Sequence, residues 1–72
     1  MEINSPEMMN VINLALDAIK DDSLSFYISR ATVEDAYKGD LVAMNMVSDL
    51  LLYVGKCEES YVWKKALKEK MA

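Results

Sequence analysis

Histidine is absent from this 72-residue chain; cysteine, proline, phenylalanine and tryptophan occur once each, and glycine twice. Each shortage closes a class of chemistry. Without histidine no Ser-His or Cys-His nucleophile pair forms, and a general base near neutral pH would have to be a strongly shifted carboxylate or lysine. Cys57 alone makes no internal disulfide and, with no histidine to join it, no Cys/His zinc site. Gly39 and Gly55 stand apart, each where a helix is expected to stop, so no glycine-rich loop cradles a phosphate. Catalysis, a cofactor and a bound metal are therefore not expected.

Long apolar runs and basic leaders are also missing. Residues 1–10, MEINSPEMMN, carry acids where a secretory signal has Lys or Arg, and no uninterrupted apolar stretch follows. Leu41–Val54 is the most apolar segment, yet Asp49 interrupts it and it falls short of the roughly 20 residues that cross a bilayer. A soluble cytoplasmic protein without membrane contact is expected, and the lone thiol suits a reducing compartment. Cations are outnumbered, eight against twelve acids, for a net charge of −4. Their distribution is uneven. Up to Trp63 four cations stand against eleven acids, whereas Lys64, Lys65, Lys68 and Lys70 face only Glu69 in the final nine residues.

What is present is helical patterning. Asp40 to Gly55, DLVAMNMVSDLLLYVG, reads as one helix with an N-cap carboxylate and a C-terminal glycine. On a helical wheel Leu41, Asn45, Ser48, Asp49 and Leu52 share a stripe, while Val42, Ala43, Met44, Met46, Val47, Leu50, Leu51, Tyr53 and Val54 cover roughly 200°, twice what a one-sided surface helix needs. The pattern predicts burial on several sides.

Ser5-Pro6-Glu7 opens an earlier helix predicted to run to about Lys20. Met8, Met9, Val11, Ile12, Ala15, Leu16, Ala18 and Ile19 form its apolar side, with Leu14 at the edge of a polar stripe. Asp21-Asp22-Ser23 reads as a turn. Leu24–Ile28 is predicted as a short helix, because no second segment shows the alternation of a partner strand. A break near Arg30 follows, and Thr32-Val33-Glu34-Asp35 is predicted to cap another short helix that Gly39 ends. Glu58-Glu59-Ser60 starts a last helix to about Lys70, with Val62, Trp63, Ala66 and Leu67 inward and Tyr61, Lys64, Lys65 and Lys68 outward. No repeat or linker divides residues 1–72. The expected fold is a single all-α domain, a compact bundle of four or five short helices around the central one.

A chain of this length buries only about 60–65% of its unfolded surface, and its 53% hydrophobic content lies above the usual range. Two wide apolar helix faces and no covalent staple point to some surface shared with another protein or with a second copy. Met9, Leu14 and Leu52, at the margins of those faces, are the candidate contacts, and Asp17, Asp21 and Asp22 form a candidate acidic docking patch. Helix caps and a solvated face are the simpler role for those acids. The six methionines suit adaptable surfaces, but Met8, Met44 and Met46 fall on faces already read as core. Cys57 lies between Lys56 and the acids Glu58 and Glu59, whose effects on thiol reactivity oppose each other, so it is read as incidental.

Nucleic acid is a weaker expectation. The Ala36–Leu41 turn superficially resembles a helix-turn-helix corner, yet the helix it would insert into DNA carries no Arg or Lys and one Asp. Tyr61, Lys64, Lys65 and Lys68 are the alternative contacts, through phosphate pairing and base stacking. The leading functional expectation is a small acidic, non-enzymatic interaction module acting as inhibitor or adaptor of a larger protein, with homodimerisation as one form of it. A structural subunit of an assembly is the third.

Overall fold

The computed structural model describes residues 2–19 and 28–72 and contains, among these, four helices and no strand: α1 (Pro6–Ala18), α2 (Arg30–Tyr37), α3 (Leu41–Tyr53) and α4 (Cys57–Met71). The all-α fold expected from the patterning is therefore observed. The short helix expected at Leu24–Ile28 and the Asp21-Asp22-Ser23 turn fall wholly or largely outside the described residues; of these only Ile28 is described, and it is buried.

Helix boundaries follow from local chemistry. Ser5 holds extended backbone and its hydroxyl accepts from the Met8 N–H at 3.1 Å, with Pro6 in the first helical position where it forfeits no bond. Asp40 caps α3 in the same way, its carboxylate accepting from the Ala43 N–H at 3.0 Å. For α2 the cap is Ser29 and not Thr32: the Ser29 hydroxyl accepts from the Thr32 N–H, so the helix begins one turn earlier than the Thr32 capping box implied. The box failed because a serine three residues upstream already offered an acceptor next to extended backbone. α4 likewise begins one residue early, at Cys57, with no side-chain cap.

Two corners connect α2, α3 and α4 by one device. Gly39 and Gly55 adopt positive φ, 101° and 84°. At the first corner Gly39 N–H donates to Ala36 and Asp40 N–H to Asp35; at the second Gly55 N–H donates to Leu52 and Lys56 N–H to Leu51. Both are Schellman closures, in which crossed bonds satisfy the last free carbonyls. In each, the residue after the glycine is also the N-cap of the next helix, so no linker separates the helices.

The core contains Met8, Ile12, Ala15 and Ile19 from α1 and its cap, Val33 and Ala36 from α2, Ala43, Met44, Val47, Leu50 and Leu51 from α3, and Trp63 from α4. α3 packs chiefly on α4 and α2 and touches α1 lightly. It is central without being enclosed. Its buried arc spans about 160° and not 200°: Val42 and Tyr53 lie exposed, and Met46 is half-buried, on a flank that no helix among the described residues covers. Ser48, placed on the wet stripe by the wheel, is fully buried. Its hydroxyl donates to the Asn45 carbonyl and its own carbonyl accepts the Ser60 hydroxyl, both at 2.8 Å, so two small side chains seat α4 closely on α3 with no polar group stranded.

The accessible surface, 4767 Å², is close to the about 4,500 Å² expected of a compact monomer of this mass, and the radius of gyration, 11.0 Å, matches its length. Trp63 is 0% exposed, as its place on the inward face of α4 predicted. Trp63→Ala is expected to lower the unfolding free energy by about 3–5 kcal/mol in urea titration, enough to unfold much of so small a chain. At the corners, Gly39→Ala and Gly55→Ala are each expected to cost about 1–2 kcal/mol, the strain of left-handed backbone with a Cβ. A methyl at Gly39 would also meet the Lys70 ammonium 2.5 Å away, but that flexible tip can swing aside, so the two losses should be similar.

Candidate interaction surface

Among the described residues no three Asp, Glu or Cys side chains gather as a metal site. Burial pushes the Tyr37 phenol above the usual tyrosine range. Its ring meets Trp63 edge-on, with centroids 5.2 Å apart and planes at 68°. This geometry sets the positive ring edge against a negative face and adds to the burial of both rings. Neither the Tyr37 hydroxyl nor the Trp63 indole N–H, both buried, has a protein hydrogen-bond partner. The pair packs two rings together and leaves two polar atoms without a protein partner. The flank of Tyr37 lines an open groove of about 490 Å³ with Ser5, Pro6, Met9, Glu34 and Lys38, where the start of α1 crosses the end of α2.

The three predicted apolar contacts are all exposed, Met9 by 39%, Leu14 by 63% and Leu52 by 51%, and the two on α1 face different ways. Met9 turns toward the α2 groove. Leu14, five residues on, points about 140° away around α1. Leu52 belongs to α3. Asp17 is exposed on α1 near Leu14, and Asp21 and Asp22 lie outside the described residues, so the acidic patch is represented by Asp17 alone. Asn13, on the same helix, accepts a hydrogen bond from Arg30 at 3.1 Å, which ties α1 to α2.

The alternative set, Tyr61, Lys64, Lys65 and Lys68, does share one exposed stripe of α4. Its field is diluted. Lys64 pairs with Asp49 of α3 at 3.3 Å, both side chains largely solvated, and Glu2 and Glu69 border the same shallow groove as Tyr61 and Lys65. Interleaved acids of this kind cancel the long-range attraction that a phosphate backbone would feel.

The wheel missed where apolar surface gathers. Of eight large apolar side chains exposed among the described residues, six lie on the α3–α4 hairpin: Leu41, Val42, Leu52, Tyr53, Tyr61 and Met71. Leu41 and Leu52 already stood on the polar stripe of the sequence, which was the available signal; Val42 and Tyr53 gave none, since their exposure depends on which flank of α3 has a neighbour. Searches against protein-family models, curated proteins and solved structures find no match to this chain.

Because the Tyr37 hydroxyl is buried without a protein acceptor, Tyr37→Phe is expected to raise the unfolding free energy by about 1 kcal/mol; a loss of that size in thermal or urea melts would show that the hydroxyl is bonded. The pH dependence has a definite sign. With the folded-state pKa raised, the unfolded chain releases the phenolic proton first, so this contribution is intact below pH about 10 and is lost as the pH climbs through the folded value. Tyr37→Phe should flatten that alkaline decline.

Proposed function

We propose that this chain is a non-enzymatic protein-interaction module of the cytoplasm that binds and modulates a larger protein as an inhibitor or adaptor. One observation carries the reading: large apolar side chains stand in solvent around a core that closes without them. Exposed apolar area of this kind forgoes about 25 cal/mol per Å² of burial and adds nothing to the fold, so a contact with another protein is the economical reason to keep it. The absence of histidine, which excludes Ser-His and Cys-His nucleophile pairs, points the same way. No helix among the described residues is long and apolar enough to cross a membrane. Nucleic-acid binding through Tyr61, Lys64, Lys65 and Lys68 ranks below it, because acids surround the lysines.

Affinity capture from the source cell tests the reading, with the wild-type chain beside Leu14→Glu and Leu52→Lys variants of unchanged helical circular dichroism. A protein held in stoichiometric amount by the wild type at about 150 mM salt, and released by at least one variant, is the expected result. Recovery of nucleic acid in its place, lost when Lys64, Lys65 and Lys68 are neutralised together, would transfer the function to the α4 stripe.

A further inference from the structure

We infer that the outer face of the α3–α4 hairpin is a self-complementary surface that takes a second copy of this chain, so that two hairpins form an antiparallel four-helix array. The inference rests on the interaction-module reading and names one occupant for the richest apolar face. Leu41, Asn45, Asp49 and Leu52 share the exposed arc of α3, and Tyr61, Lys64, Lys68 and Met71 that of α4, with Lys68 level with the neutral Asn45. The Lys64–Asp49 contact at 3.3 Å fixes both arcs on one side of the molecule. Antiparallel pairing of the helices, set by the Ser60–Ser48 bond and the short Gly55 corner, then orders the face. Leu52 and Tyr61 stand toward the corner, the ion pair is central, and Leu41 and Met71 occupy the far end.

Charge selects the symmetry. A two-fold axis lying in the face and across the helices would set Asp49 against Asp49 of the other copy. An axis parallel to the helices sets α3 of each copy on α4 of the other, so Asp49 meets Lys64 and two ion pairs close into a ring of alternating sign. The same operation stacks Leu52 on Tyr61 and Leu41 on Met71, and makes every neighbouring helix pair antiparallel, the arrangement helix dipoles favour. The area is modest. Helices of 13 and 15 residues, each about 10 Å wide, give a footprint of about 400 Å². Two such faces cover about 800 Å² in total before side-chain relief is added, the small end for a specific interface, which implies a weak, reversible dimer.

Sedimentation equilibrium of the full chain up to about 1 mM tests this, together with two charge variants. The wild type should dimerise, and Leu52→Lys should weaken dimerisation at least about tenfold with native helicity and native Trp63 emission. Asp49→Lys places two cations at the centre of the face and Lys64→Asp two anions, so each variant alone should be monomeric and their equimolar mixture should form a one-to-one dimer. A monomeric wild type at about 1 mM overturns the inference, and so does a mixture that stays monomeric. Either result leaves the capture experiment to judge the module reading by itself; a dimer that forms as described while nothing is captured would remove the larger partner and keep the second copy.

Discussion

Left-handed backbone at Gly39 and Gly55 turns three helices into one layered unit. A residue with a Cβ resists that conformation, and glycine adopts it freely, so each glycine both closes the carbonyl end of one helix and swings the chain back on itself. The next helix starts at the following residue. With no slack in either corner, the phase of α4 relative to α3 is set by two residues, and this phase decides that Ser60 lands on Ser48 and Trp63 in the core.

The position of Trp63 governs the rest of the packing. Its indole is enclosed by the core and met edge-on by Tyr37, which anchors the end of α2 to α4 across the layer. The cost is visible in two buried polar atoms without protein partners. Aromatic area removed from water outweighs such a loss, since the ring buries far more apolar surface than the N–H or O–H forfeits. α1 completes the other side of the core through Met8, Ile12 and Ala15, a stripe narrow enough to leave Leu14 in water.

The surface logic follows from the same economy. α3 has partners on two sides, so an apolar sequence that covers most of its circumference leaves a flank unburied. Leu41 and Leu52 of α3 and Tyr61 and Met71 of α4 flank the Lys64–Asp49 ion pair. In water such a pair contributes little to stability, but at the centre of a contact between copies it would dictate orientation. A regulator that self-associates and a module that binds a larger protein are both consistent with this surface, and the two uses can occupy different faces, the hairpin for one and the α1 side around Leu14 and Asp17 for the other.

The sequence by itself determined the fold class, the caps at Ser5 and Asp40, both glycine stops and the burial of Trp63, because each depends on contacts within a few residues or on a simple period of 3.6. It also excluded histidine-based chemistry and an internal disulfide, since those depend only on which residues these 72 positions hold. Tertiary structure alone decided that Ser48 is buried and that Val42 and Tyr53 are not. A helical wheel gives the angle of each side chain about its own axis but not which angles meet a neighbour. That depends on how corners and side-chain volumes place helices far apart in sequence, and the apolar periodicity of α3 is equally compatible with two neighbours or three.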